Sequence, residues 1–347
     1  MRRRANAHSL LHAVLKSVSR SFFLTLKVVP ADVRDQVGLA YLLARAADTI
    51  ADTDLIERDR RLHYLARFRV WIMEPTRERD VVQEIQTALL GSSSRSGERV
   101  LLERLEDCRG VLEAFSPEDQ GLVRGVLATL TQGMVKDLTV FPGSTAQTLT
   151  ALKSLEELDR YTYDVAGCVG DFWTRMMCAH RRALHGWDVE AMATVGIQFG
   201  KGLQLTNVLR DTATDLRRGR CYIPEELLAE AGLTPRDLLD PGALPKFRPV
   251  LTRLLRIAVD HLDQGWLYTM AIPRQELRLR LACVWPILFA VKTLQRVSVS
   301  PDLLNPDVTL KVTRGEIYRI MVLTGGVFGC GRALTAYYGH LRKGVAC

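Results

Sequence analysis

Two pairs of aspartates, each with its members four residues apart, lie in apolar, helix-like stretches of the chain. They are Asp48 with Asp52 and Asp211 with Asp215. Residues four apart on a helix share a face, so the paired carboxylates repel each other. Burying such a pair is costly unless cations compensate the charge. The spacing therefore predicts bound divalent metal, and carboxylates that leave Mg²⁺ partly open usually share it with substrate phosphates.

The first pair belongs to a longer polar stripe. Tyr41, Arg45, Asp48 and Asp52 stand at i, i+4, i+7 and i+11, which keeps them on one face of a helix. The neighbouring positions are apolar, which favours a stripe that faces inward or lines a cavity. A solvated face in which Arg45 pairs with Asp48 is the alternative. This stretch alone leaves both interpretations open.

The second pair has a similar setting. Gln204, Asn207, Asp211 and Asp215 stand at i, i+3, i+7 and i+11. All four side chains offer oxygen to a hard cation or to its bound water. Because the two stripes match, a metal-dependent phosphate site is a better interpretation than two solvated helix faces that happen to carry charges.

Arginines accompany the second stripe. Arg210 precedes Asp211 directly, and Arg217, Arg218 and Arg220 follow the pair. The guanidinium group suits bidentate contact with phosphate oxygens. A helix end that carries basic residues because of the helix dipole is the alternative.

Composition narrows the class of protein. The chain has 347 residues, 47% of them apolar, and a net charge of +8. The charge favours an anionic partner such as a phosphorylated substrate, a membrane surface or nucleic acid. Seven cysteines without a Cys-x-x-Cys pair argue against a disulfide framework or a zinc site and favour the cytoplasm.

Helical periodicity dominates, and Pro and Gly cluster in a few loops. Ser116-Pro117 and Thr234-Pro235 are typical helix starts. We predict one all-α domain with its core inside a helix bundle. The longest apolar runs, 281–291 and 320–331, are too short to span a membrane. The second run lies near a basic C-terminus and leaves peripheral membrane contact open.

A third stretch, 161–172, has an apolar stripe at helical spacing. Its members are Tyr161, Val165, Cys168 and Phe172. Gly167 and Gly170 leave room for close helix approach or for a ligand, or allow a helix break. On pattern alone, this stretch is core packing.

Together these motifs resemble the squalene and phytoene synthase family of head-to-head prenyl transferases. The likeness extends from Ser19-Arg20-Ser-Phe22 to at least Arg314. Its strongest parts are Arg45-Ala-Ala-Asp48-Thr-Ile-Ala-Asp52, Tyr161-x-x-x-Val165-Ala-Gly167-x-Val169-Gly170 and Gln204-x-x-Asn207-x-x-Arg210-Asp211-x-x-x-Asp215-x-x-x-Gly219-Arg220-x-x-x-Pro224. The combination in this order is specific.

The resemblance implies an isoprenoid-synthase-type helix bundle around a central cavity. The expected single domain covers 1–347, with its core at about 15–335. Within the family the chain looks most like the squalene-forming members. It would join two farnesyl diphosphates through presqualene diphosphate to squalene, with Mg²⁺ (Mn²⁺ as a substitute) and NADPH as cofactors.

The resemblance also implies roles for residues. Metal binding would fall to Asp48, Asp52, Asp211 and Asp215, which count with Tyr161 as catalytic. The diphosphates would be bound by Arg20, Arg45, Arg210, Arg220, Gln204, Asn207 and Tyr41. Candidate liners of an apolar tunnel are Phe22, Val165, Leu203 and Cys283. The nicotinamide cofactor would meet Lys311 and Arg314.

Three departures from the family pattern stand out, and the first two bear on the reductive half of the reaction. Thr313 stands where another basic residue is expected, and Ile287 stands where a Gln is familiar after Pro286. The third concerns the C-terminal membrane helix of eukaryotic members of the family, which we do not expect in this chain.

Several alternatives stay open. A sister enzyme would make dehydrosqualene or phytoene without a reductant. A terpene cyclase would use one prenyl diphosphate, but its usual second metal motif mixes Asn, Ser and Glu. A non-catalytic basic helical module would leave the acidic stripes unexplained. We expect a cytoplasmic monomer, with at most peripheral membrane contact and no nucleic-acid partner.

Overall fold

The computed structural model describes residues 11, 13–15, 17–18, 26, 28–53, 56–74, 80–90, 96–327 and 331–347. Within these residues nearly every element is a helix, and the predicted all-α class is confirmed. Arg20 and Phe22 lie outside the described residues.

The chain folds into two compact units. The first comprises 1–138 and 172–187, and the second comprises 139–171 and 188–347. The single domain expected from the sequence stays a prediction. No helix in the described part of the chain has both the length and the apolar character needed to cross a membrane.

The first unit is built from successive helices. They are α1 (Ala31–Asp52), α2 (Arg58–Met73), α3 (Val81–Leu90), α4 (Ser96–Glu103), α5 (Leu105–Glu113) and α6 (Pro117–Val140), the last of which extends two residues beyond it. Helix α1 packs against α2, α4 and α5. Its core face includes Leu39, Leu42, Leu43 and Ile50, all 0% exposed. Burial of each of these side chains stabilises the fold by about 1.5–3 kcal/mol. The buried face therefore fixes the rotation of α1 about its axis, and with it the direction of the polar stripe.

The second unit contains the longer helices. Its elements are β1 (Thr150–Ala151), α7 (Leu155–Thr162), a π-helical turn (Tyr163–Gly167), the start of α8 (Cys168–His180), α9 (Val189–Arg217), β2 (Arg220–Cys221), α10 (Glu225–Glu230), α11 (Leu244–Ala271), α12 (Leu277–Val299), α13 (Arg314–Val327) and α14 (Gly331–Lys343). Helix α9 packs along α11, and both contact α12. Strands β1 and β2 form one short parallel pair.

Cap chemistry sets several helix ends. The Ser116 hydroxyl accepts a hydrogen bond from Asp119 N at 3.1 Å, and Pro117 begins α6 as predicted. The start predicted at Thr234 gives only a 3-10 turn, 237–239. The Thr234 amide and hydroxyl both donate to the Asp237 carboxylate, and a Pro-Gly turn at 241–242 follows. The next α-helix therefore begins at Leu244.

Glycines bring the segment after Tyr161 against α9. A methyl group on Gly170 would lie 1.9 Å from Gly196 O, and one on Gly200 would lie 2.3 Å from Ala166 O. The close helix approach that Gly170 allows is thus confirmed. Only a missing side chain permits this backbone contact.

We expect Gly170→Ala to destabilise the protein by about 1–3 kcal/mol, because the added methyl group meets backbone that has little freedom to move. The measurement is the urea midpoint of unfolding.

Gly125→Ala is the matched control, since Gly125 is exposed inside α6 with nothing within 4 Å of the added methyl group. This variant should gain about 0.5–1 kcal/mol from helix propensity. Equal midpoints for the two variants would contradict the packing argument.

Candidate functional site

The first acidic stripe occupies the partly exposed face of α1. Arg45 Nη1 donates to Asp48 Oδ2, and Arg45 Nη2 donates to Glu98 Oε1 in α4 at 2.6 Å. The Arg45, Asp48 and Glu98 side chains are 30%, 37% and 18% exposed. Within the described residues, Arg45 Nε is buried and has no hydrogen-bond partner. Tyr41, Arg45 and Asp48 are half-buried, whereas Asp52 is exposed. The Arg45–Asp48 pair of the alternative interpretation is therefore present, and an inward-facing stripe stays a prediction.

Electrostatics in this stripe favour a bound cation. Burial, followed by the negative charge of Asp52, raises the pKa of Asp48 to about 6 even though Arg45 opposes the shift. Burial also raises the pKa of Tyr41, and the charge of Asp48 adds to this while Arg45 opposes it. One arginine therefore does not fully offset the two carboxylates.

The second acidic stripe lies on α9 in the second unit. Arg210 Nε donates to Asp211 Oδ1 at 2.8 Å, and Arg210 Nη2 donates to Asp211 Oδ2. Asn207 Nδ2 donates to Gln204 Oε1 at 3.3 Å. These four side chains and Asp215 are all half-buried. One helix face therefore presents amide and carboxylate oxygens that are open on one side.

Tyr161 meets this stripe at its beginning. Its hydroxyl accepts a hydrogen bond from Gln204 Nε2 at 3.1 Å. The Tyr161 ring stacks on Tyr222 at 4.5 Å between centroids, and Tyr222 meets Phe141 edge-on at 4.9 Å. This aromatic row holds the phenol in one orientation, with its hydroxyl at the amide end of the stripe.

A glycine turn positions Arg220 after α9. Gly219 has φ of +77°, and a methyl group there would lie 2.8 Å from Thr145 O. The turn allows Arg220 to pair with Thr150 in the short parallel sheet. The Arg220 residue is half-buried, whereas Arg217 and Arg218 are exposed. The helix-end interpretation thus suits those two arginines, but not Arg220.

The donor set in each stripe suits Mg²⁺ or Mn²⁺. Among the described residues, no three or more His, Cys, Asp or Glu side chains converge on one possible metal position. Magnesium usually binds one or two carboxylates and completes its shell with water and substrate phosphates. Each stripe offers two carboxylates for such a partial shell.

The residues expected near nicotinamide lie where α13 begins. Lys311 and Arg314 are exposed, and the Lys311 carbonyl accepts a hydrogen bond from Arg296 Nη1. Thr313 caps the helix: its amide and its hydroxyl donate to Glu316 Oε2 at 2.9 and 2.7 Å, and the hydroxyl accepts from Glu316 N. Thr313 therefore has a structural role where a basic residue was expected.

The proposed tunnel residues differ in access. Val165 and Leu203 are half-buried, whereas Cys283 is 2% exposed and lies in the core of the second unit. Ile287 on α12 is 0% exposed. An apolar side chain at that position packs in the core, where an unpaired amide would be costly.

Sequence reasoning missed four residues at these stripes. Glu98 accepts a hydrogen bond from Arg45, and Tyr222 stacks on Tyr161. The other two, Lys201 and Asp159, form an ion pair with each other. Lys201 stands three residues before Gln204, so the spacing alone could have placed it on the same face of the helix. Nothing in the sequence connects Glu98 or Tyr222 with the stripes, because both contacts join distant segments.

A family model described as squalene/phytoene synthase matches residues 15–316, which is most of the chain. The chain belongs to the squalene/phytoene synthase family. This assignment confirms the family inferred from the motifs and makes the protein an enzyme of a prenyltransferase family. Head-to-head prenyl condensation is supported at the level of the family.

Relatives come from both branches of the squalene/phytoene synthase family. A squalene synthase of Saccharomyces cerevisiae is 24% identical over 339 residues, which cover 97% of this chain and 72% of the relative. A chloroplastic phytoene synthase of Narcissus pseudonarcissus is 36% identical over 113 residues, 33% of this chain and 26% of that protein.

Solved structures share the fold of this family. A complex of TcSQS with a ligand aligns with a TM-score of 0.74 at 22% identity, covering 98% of this chain and 97% of that one. A dehydrosqualene synthase complex aligns with a TM-score of 0.64 at 18% identity, covering 93% and 96%. These likenesses establish the isoprenoid-synthase type of helical fold.

Asp48→Asn should stabilise the metal-free protein at pH 7. The folded-state pKa of Asp48, about 6, lies above the unfolded value of roughly 3.9. The ionised carboxylate therefore lowers stability above pH 6, and this cost disappears as the pH falls from 6 to about 4. With allowance for partial exposure, we expect a gain of about 1 kcal/mol at pH 7 and almost none near pH 4.

The measurement is the urea midpoint in chelator at both pH values. Asp59→Asn is the control, since the Asp59 side chain is 90% exposed. It should change stability little at either pH. Loss of stability in Asp48→Asn at pH 7 would mean that the pair with Arg45 outweighs burial and the repulsion by Asp52.

Proposed function

We propose that the protein condenses two farnesyl diphosphates head to head, through presqualene diphosphate, to squalene, with Mg²⁺ and NADPH. The observation that carries this proposal is the pair of acidic stripes on α1 and α9, within sequence that matches the family. In each stripe an arginine is bound to the first aspartate: Arg45 to Asp48 and Arg210 to Asp211.

The carboxylates and arginines of each stripe would bind one diphosphate jointly. Asp48 and Asp52, or Asp211 and Asp215, would hold Mg²⁺ from the protein side. When bound, the metal would neutralise the leaving diphosphate and so ease ionisation of the allylic C–O bond. The arginine beside each first aspartate would then turn its N–H groups to the phosphate oxygens.

Tyr161 would act at the step that forms the cyclopropyl intermediate. Its hydroxyl accepts a hydrogen bond from Gln204 Nε2 at 3.1 Å, which fixes the position of the phenol oxygen relative to α9. Stacking on Tyr222 limits rotation of the ring. This geometry supports a phenol that orients the reacting carbon chain or the departing diphosphate.

The reductive half would use the exposed cations at the start of α13. Lys311 and Arg314 suit the phosphates of a nicotinamide dinucleotide. A second candidate, a dehydrosqualene or phytoene synthase without reductant, is favoured by Thr313, which is engaged as a helix cap, and by the buried Ile287.

The deciding experiment is incubation of the purified protein with farnesyl diphosphate and Mg²⁺, with and without NADPH, followed by mass analysis of the hydrocarbons. Squalene that appears only with NADPH is the expected result. Dehydrosqualene under both conditions would favour the second candidate. Absence of any product of two joined farnesyl groups would overturn the condensation itself.

Asp211→Asn should abolish this turnover, since removal of an electrostatic contact to the reacting group typically lowers kcat by about 10²–10³-fold or more. Asp237→Asn is the control, because this exposed carboxylate caps a turn in the same unit. Circular dichroism would verify the fold of both. Full activity in Asp211→Asn would contradict the proposal that Asp211 and Asp215 hold Mg²⁺.

We also propose that α13 contacts an anionic membrane surface. Its outer face carries Tyr318, Val322 and Leu323, which are 58%, 74% and 44% exposed. Helix spacing puts Arg314 and Arg319 on the same side of α13, and both are exposed. The acidic residue of α13, Glu316, is instead bound to Arg296 at 2.6 Å. Apolar side chains between arginines are typical of interfacial helices.

Sedimentation with vesicles tests this contact. The protein should bind vesicles of equimolar phosphatidylcholine and phosphatidylglycerol, and bind less at high salt because the charges are screened. Val322→Ser should lower the bound fraction, whereas Val140→Ser, at an exposed valine of α6, should not. Equal binding by the two variants, or no binding by the unaltered protein, would contradict the proposal.

A further inference from the structure

A buried lysine lies beside the Tyr161 site. Lys201 on α9 is 8% exposed, and its Nζ lies 2.8 Å from both carboxylate oxygens of Asp159 on α7. The Asp159 side chain is 54% exposed, so only one partner of the pair is buried. A buried ammonium group requires such a partner. In some proteins a buried charged residue of this kind fixes a specific arrangement of elements.

The ion pair and the Tyr161 hydrogen bond join the same two helices. Asp159 stands two residues before Tyr161, and Lys201 stands three residues before Gln204. Gln204 Nε2 in turn donates to the Tyr161 hydroxyl at 3.1 Å. The Lys201–Asp159 pair is therefore a second connection between α7 and α9, within one helical turn of the first.

Lys201 also spans the π-helical turn that follows Tyr161. Its Nζ lies 6.0 Å from the centroid of the Tyr163 ring, and its Cγ lies 3.3 Å from the position that a methyl group on Gly167 would take. The turn begins at Tyr163 and ends at Gly167. A π-helical turn is rare and often found at functional sites. Contacts at both of its ends and with Asp159 before it hold this segment at one position along α9.

We propose that Lys201 is a positioning residue for Tyr161. It sets the position of α7 along α9, and with it the distance from the Tyr161 hydroxyl to the Gln204 amide. Lys201 acts through Asp159 and the π-helical turn, without touching substrate. The inference rests on the proposed role of Tyr161 in prenyl condensation.

The test begins with Lys201→Met, which keeps an unbranched side chain in the buried space and removes the charge. Asp159 is exposed enough to be hydrated after the loss, so the variant should fold. Small displacements of catalytic groups lower rates by as much as about 10²-fold. We expect kcat to fall by about 10- to 100-fold, while KM for farnesyl diphosphate changes by less than about twofold.

Lys153→Met is the matched control. Lys153 also forms an ion pair in the second unit, with Glu225 at 2.8 Å, but its side chain is 68% exposed. It should leave kcat unchanged. Unchanged kcat in Lys201→Met would overturn the inference.

A double-mutant cycle separates positioning from general stability. In the Tyr161→Phe background, Lys201→Met should lower kcat by less than about threefold, because the hydroxyl that it positions is gone. Additive losses would mean that Lys201 does not act through Tyr161 and would overturn the inference.

Amide hydrogen exchange supplies a readout that does not depend on turnover. Lys201→Met should speed exchange in residues 155–167 and leave α12 unchanged. Unchanged exchange in 155–167 would overturn the inference even if the unaltered protein made no product. Product from the unaltered protein together with full activity in Lys201→Met would overturn the inference alone and leave the proposed function intact.

Discussion

Backbone contact between the segment after Tyr161 and α9 is the constraint on which the site in the second unit depends. Gly170 against Gly196 and Gly200 against Ala166 leave no space for side chains between the two segments. At this separation a glutamine on α9 reaches the Tyr161 hydroxyl, and a lysine one turn earlier reaches the preceding part of α7. A wider spacing would break both connections, so the glycines determine polar geometry although they carry no polar side chain.

The acidic stripes show how a helix tolerates like charges that are partly withdrawn from water. On α1 the aliphatic face is fully buried, and this fixes Asp48 beside Asp52 whatever their repulsion. Arg45 relieves part of that repulsion, yet the pKa of Asp48 remains well above its usual value. On α9 the Arg210 guanidinium group donates to both carboxylate oxygens of Asp211. On α1 the single arginine thus leaves part of the negative charge uncompensated, which accords with the proposal that this stripe shares metal with its substrate.

Much of the fold was predictable because it follows from local patterns. Helical periodicity gave the all-α class, the Ser116-Pro117 start of α6 was read from cap chemistry, and spacing placed each acidic stripe on one face. Contacts between distant segments were not predictable: Glu98 at Arg45 and Tyr222 at Tyr161 carry no local signal. Thr234 shows a different limit, since its cap chemistry was real but a nearby Pro-Gly turn stopped the helix. At Thr313 the family pattern led us to expect a basic residue. The threonine instead caps a helix, a role that depends on Glu316 three residues later.

Arg45 is divided between two carboxylates, and this has a consequence for selectivity among anions. With Asp48 on one nitrogen and Glu98 on another, the guanidinium group has little net attraction for a lone anion such as inorganic phosphate. In the proposed function, a divalent cation that arrives with its diphosphate would draw Asp48 away from Arg45 and leave Glu98 on the guanidinium group. The proposed site would thus discriminate by co-ligand rather than by shape: an anion without a divalent cation would meet an arginine that two carboxylates occupy, whereas a metal-bearing diphosphate would meet one that only Glu98 occupies.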